Sequence, residues 1–68
     1  MQRTVKFYSK NANDGKYAPY QYVGSVGMLD ENMHTAELSR VAESIGGPIY
    51  GPLIAQVEGI SDIWVIQV

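Results

Sequence analysis

The segment Ile63-Trp-Val-Ile-Gln-Val68 constrains the fold more than any other stretch of the chain. It is rich in β-formers, and alternation sends Ile63 and Val65 one way and Trp64, Ile66 and Val68 the other. Both faces of the predicted strand are therefore apolar. A strand with one wet face normally alternates apolar with polar residues, so neither face here is suited to water. One helix covers one face of a sheet. The other face calls for a second layer, a partner chain or tightly packed loops.

Size adds to this demand. The 68 residues make a single domain, 1–68. A fold this small buries only about 60% of its unfolded surface. Below roughly 70–80 residues one core rarely supplies more than about 3–5 kcal/mol, and disulfides, metals or oligomers make up the rest. Cysteine is absent and histidine occurs once, so neither a disulfide framework nor a zinc site is expected. A homo-oligomer is the remaining support, with Trp64, Ile66 and Val68 as the expected self-association surface. The strand also has an edge that a second copy can pair with.

Apolar residues make up 46% and charged residues 18%, a globular balance. No apolar run approaches the roughly 20 residues that span a bilayer, so no membrane association is expected. The opening Met1-Gln-Arg-Thr-Val-Lys6 lacks the apolar stretch of a signal peptide, and a cytoplasmic location is expected. The net charge of -2 argues against a general nucleic-acid binder. The charge is uneven: Arg3, Lys6, Lys10 and Lys16 against Asp14 give residues 1–28 a net +3, and Arg40 against six acids gives residues 29–68 a net -5. Such asymmetry steers a basic end toward an acidic partner or toward the acidic half of another copy.

Four further elements are legible. Arg3-Thr-Val-Lys-Phe-Tyr8 alternates as a strand with Val5 and Phe7 inward. A long loop follows, with Asn13-Asp14-Gly15 as its turn. Tyr20–Met28 is a second strand, with Tyr20, Tyr22, Gly24, Val26 and Met28 on one side. Leu38, Val41, Ala42 and Ile45 recur at helical spacing, with Glu37, Arg40, Glu43 and Ser44 on the wet side. Asp30, Asn32 and Thr35 are candidate N-caps, and Gly46 is the expected left-handed C-cap. The Gly47-Pro48 and Gly51-Pro52 steps make a stiff linker. Leu53–Val57 fits a short helix opened by Pro52 better than a strand, although a strand turned back by Glu58–Asp62 also fits. The expected fold is α+β: a small single-layer mixed or antiparallel sheet of about three strands with one main helix packed on it, in the order β-β-α-(short α or β)-β.

Chemistry-bearing residues are few. His34, beside Asp30 and Glu31, is the one candidate general base, and such a base needs an orienting carboxylate. Glu58 and Asp62 bracket a turn as a carboxylate pair. No phosphate-loop or dinucleotide glycine spacing is present. The tyrosines stand out. Tyr8, Tyr17, Tyr20 and Tyr22 interleave with Lys6, Lys10 and Lys16, and tyrosine offers stacking area with a polar tip. Tyr8, Tyr17, Tyr20, Tyr22 and Lys6 are the expected partner-binding set, with no catalytic residue, cofactor or metal. The expected function is a non-catalytic module that self-associates and binds a protein partner. The alternatives are a nucleic-acid binder using the Lys/Tyr hairpin and a small enzyme with a subunit-interface site near His34.

Pro52–Trp64, with its Glu58-Gly59-Ile60 and Ile63, resembles the turn of ferredoxin-like modules such as the N-terminal domain of Nfu-type iron–sulfur scaffold proteins. Val5-Lys6-Phe7 is similar to the opening strand of that domain. The resemblance covers about a third of the chain and implies a helix–turn–strand unit. With no Cys-x-x-Cys present, it implies no cluster chemistry here.

Overall fold

The computed structural model describes residues 3–15, 17–28, 35–59, 61 and 63–68. Four strands, β1 (Arg3–Ser9), β2 (Gln21–Met28), β3 (Leu53–Val57) and β4 (Ile63–Gln67), form one sheet in the order β2-β1-β3-β4. Every neighbouring pair is antiparallel. The helix α1 (Thr35–Gly46) lies on one face and reaches the outer strands β2 and β4. The α+β class matches the sequence pattern. The strand count does not, because Leu53–Val57 is a strand and not a helix.

The reason for that correction is physical. Five residues are too few to repay helix nucleation. As a strand between β1 and β4, the same residues pair their backbone on both sides and bury Leu53, Ala55 and Val57 by simple alternation. The helix–turn–strand unit implied by the resemblance is thus a strand–turn–strand unit.

The core forms where β1 and β3 meet α1: Val5, Phe7, Leu53, Ala55 and Val57 from the sheet, Leu38 and Ala42 from the helix. Phe7 pairs with Gly24 on one side and Ala55 on the other. Two small neighbours leave room for its ring and let the helix sit close. Ile45 takes the space a side chain at position 24 would need.

Two β-bulges shape the sheet. The β1–β2 register shifts between Phe7 and Tyr8, leaving Val23 as the extra residue, packed against the core. The bulge turns Tyr22 away from the Gly24 and Val26 side and places it opposite Tyr8. That corrects the single continuous face expected for 20–28. A second shift, between Leu53 and Ile54, makes Ile66 the extra residue and sets Gln67 opposite Leu53.

Gln67 then works as a tie. Its Nε2 donates to the Gly51 carbonyl at 3.2 Å, and its Oε1 accepts from Ser39 Oγ at 3.4 Å. Gln67→Ala is expected to lower stability by about 1–2 kcal/mol, read as a shifted urea midpoint with an unchanged slope.

The helix ends one residue later than the pattern suggests. Gly46 is still helical, and Gly47 takes the left-handed conformation (φ 83°), with its N–H donating to Glu43 O at 2.8 Å. The candidate caps Asp30 and Asn32 lie outside the described residues. Beyond the helix the linker runs alongside the β1–β2 loop. Lys10 N–H donates to Pro52 O and Ala12 N–H to Tyr50 O, both at 3.3 Å. In that loop, ahead of a 2.9 Å bond from Ala18 N–H to Gly15 O, a turn falls at residues 11–14. Asn11 and Asp14 close it with their own side chains and a 2.9 Å bond from Asp14 N–H to Asn11 O.

Candidate functional site

The sheet face opposite α1 is open: among the described residues no element covers it. The registers lay out its rows. One row runs Tyr22, Tyr8, Ile54, Val65 across all four strands, and the next runs Ser25, Lys6, Gln56, Ile63. Tyr22, Val65 and Ile63 are 59%, 61% and 55% exposed, while Tyr8 and Ile54 are half-buried by their neighbours. Exposed apolar groups joined in a row differ from the singly scattered ones that are ordinary on protein surfaces.

Local contacts hold this face in shape. The Tyr8 and Tyr22 rings meet edge to face, with centroids 5.7 Å apart. Tyr22 Oη donates to Ser25 Oγ at 2.9 Å, bracing one row against the next. Below them, Thr4, Lys6, Gln56 and Glu58 line a shallow depression of about 500 Å³. Among the described residues the face therefore offers aromatic and aliphatic area, two phenols, one ammonium and one carboxylate. Such a set can stack, hydrogen-bond and pair charges.

The expected partner-binding residues divide into two groups. Lys6, Tyr8 and Tyr22 share the open face. Tyr17 and Tyr20 belong to the loop at one end of the sheet. Tyr17 is 92% exposed, and Tyr20 lies under Lys10, whose Nζ is 5.2 Å from the ring centroid. Lys10 also donates to the carbonyls of Gly15 and Ala18, at 3.4 and 3.5 Å, and so folds the loop. Tyr50, absent from the expected set, sits at this end and is 74% exposed. With Lys10, Asp14, Gln21 and Ile49 it lines a cleft of about 350 Å³. Its sequence signal is an aromatic residue held out by the two Gly-Pro steps.

Of the expected self-association residues, Trp64 and Ile66 are half-buried and pack against the core, and Val68 is exposed beyond β4. The apolar residues that β4 leaves on the open face are Ile63 and Val65. Their alternation was visible in the sequence; the side the helix takes was not. His34, Asp30, Glu31, Asp62 and Lys16 lie outside the described residues. Among the described residues, no three His, Asp or Glu side chains gather as a metal site, and no helix is long and apolar enough to cross a membrane.

No family model, curated protein or solved structure matches the chain.

Proposed function

We propose that the chain is a non-catalytic module that self-associates and binds a protein partner. The open sheet face carries this reading. Its Tyr22–Tyr8–Ile54–Val65 row is a contiguous apolar strip on a sheet whose other face is already filled. Covering the strip removes apolar surface from water at about 25 cal/mol per Å². The exposed tyrosines at the loop end, Tyr17 and Tyr50, supply a second and separate surface for a different protein. A cytoplasmic location fits the same reading.

Val65→Lys tests it. Val65 is exposed, so the fold is expected to survive, as circular dichroism would show. Light scattering on the unsubstituted chain is expected to give a mass that rises with concentration, and Val65→Lys is expected to abolish the rise. A unsubstituted chain that stays at the mass of one copy throughout would sink the self-association half.

A second reading, single-stranded nucleic-acid binding, draws on Lys6 sharing the face with Tyr8 and Tyr22, since bases stack on aromatic side chains of open sheets. It predicts salt-sensitive binding of a labelled oligonucleotide, weakened by Lys6→Ala or Tyr22→Ala. No binding at low salt removes it.

A further inference from the structure

We infer that the open face packs against the same face of a second copy about a two-fold axis parallel to the strands and midway between β1 and β3. This rests on the self-association proposed above and gives it a geometry.

The two halves of the face are unequal. The β2–β1 half presents Tyr22, Tyr8 and Lys6, all long, beside the short Ser25. The β3–β4 half presents Val65, Ile54, Gln56 and Ile63, which are shorter or uncharged. A rotation about the stated axis exchanges the halves while keeping each residue's height along the strands. The β1–β3 register sets Tyr8 level with Ile54 and Lys6 level with Gln56. In the dimer, Tyr8 of one copy thus meets Ile54 of the other, and Lys6 meets Gln56. The outer registers likewise bring Tyr22 over Val65 and Ser25 over Ile63. Each aromatic ring meets an aliphatic side chain, the large-over-small arrangement that lets two aligned sheets interdigitate about 10 Å apart.

Charge follows the same symmetry. Glu58 N–H donates to Thr4 O at 2.8 Å, which sets Glu58 level with Thr4, two residues along from Gln56. Two strand residues span about 7 Å, within reach of an extended lysine. Lys6 of each copy therefore reaches Glu58 of the other across the depression they line, and the axis makes the pair occur twice. Both groups are exposed in the single copy.

Area is consistent with a weak dimer. Four strands about 4.8 Å apart and some six residues long make a face on the order of 400 Å² in projection. Standing side chains raise its accessible surface above that, toward the roughly 600 Å² per partner where stable interfaces begin. A dissociation constant in the micromolar range is expected.

The test is a charge reversal and its rescue, read by sedimentation equilibrium on the full chain. Lys6→Glu sets like charges together twice and is expected to weaken the dimer about tenfold or more. Lys6→Glu combined with Glu58→Lys restores the pair in reverse and is expected to return the affinity close to its original value. Circular dichroism confirms that each variant is folded. A Lys6→Glu dimer as tight as the original, or a double variant no tighter than the single, overturns this arrangement and leaves self-association standing. A chain that is monomeric without any substitution overturns both. A pair acting only within one copy would change the urea midpoint and leave the mass untouched, which also overturns the arrangement.

Discussion

Phe7→Ala is expected to remove about 3–5 kcal/mol of stability, enough to leave most molecules of so small a domain unfolded at 25 °C. Phe7 is fully buried on a central strand. Its row neighbours, Gly24 and Ala55, are too small to move into the space left by the ring. Leu38 and Ala42 on the helix are tied to the same core. The cavity would therefore stay open, and an open cavity adds its own penalty to the lost transfer energy. Phe7→Leu keeps most of the volume and is expected to cost roughly 1.5 kcal/mol or less. Urea titration followed by circular dichroism measures both. A Phe7→Ala loss no larger than that of Phe7→Leu would contradict the placement of Phe7.

Gly51→Ala is expected to be nearly as damaging, for a different reason. A Cβ at position 51 would meet the Lys10 carbonyl oxygen and would lie 2.6 Å from Ala12 N. These are backbone atoms, so no side chain can swing aside to relieve the clash. The linker must move off the loop, and the bonds from Lys10 and Ala12 to Pro52 and Tyr50 go with it. A loss of about 2–4 kcal/mol is expected, with the amide protons of Lys10 and Ala12 losing protection from exchange. Gly47→Ala is the comparison. Its Cβ meets nothing within 4 Å, and only the positive φ is penalised, by about 1–2 kcal/mol. If Gly51→Ala is milder than Gly47→Ala, the loop and the linker are not packed as described.

The sequence revealed local structure well and failed where two distant segments decide together. The α1 face was readable because Leu38, Val41, Ala42 and Ile45 keep one period over about two turns. Val5 and Phe7 were readable because alternation in β1 is uninterrupted up to Phe7. Leu53–Val57 was not, since a five-residue apolar run suits a helix or a strand equally until β1 and β4 flank it. Alternation groups Tyr22 with Gly24 and Val26, whereas the bulge at Val23 separates them, because the bulge depends on pairing with β1 and alternation cannot register an extra residue. The same limit applies to the candidate site. That 63–68 needs covering on both faces was evident from its residues. That Trp64 and Ile66 go under the helix while Ile63 and Val65 stay open depends on which face α1 packs against.

On the reading proposed above, a second copy of the chain covers the open face. Sedimentation equilibrium from low micromolar to millimolar protein, on the original chain and on Val65→Lys, decides it. The original chain is expected to rise from the mass of one copy toward that of two, and the variant, folded by circular dichroism, to remain at one. A single-copy mass for the original chain at the highest concentration, or a variant that associates equally well, would contradict it.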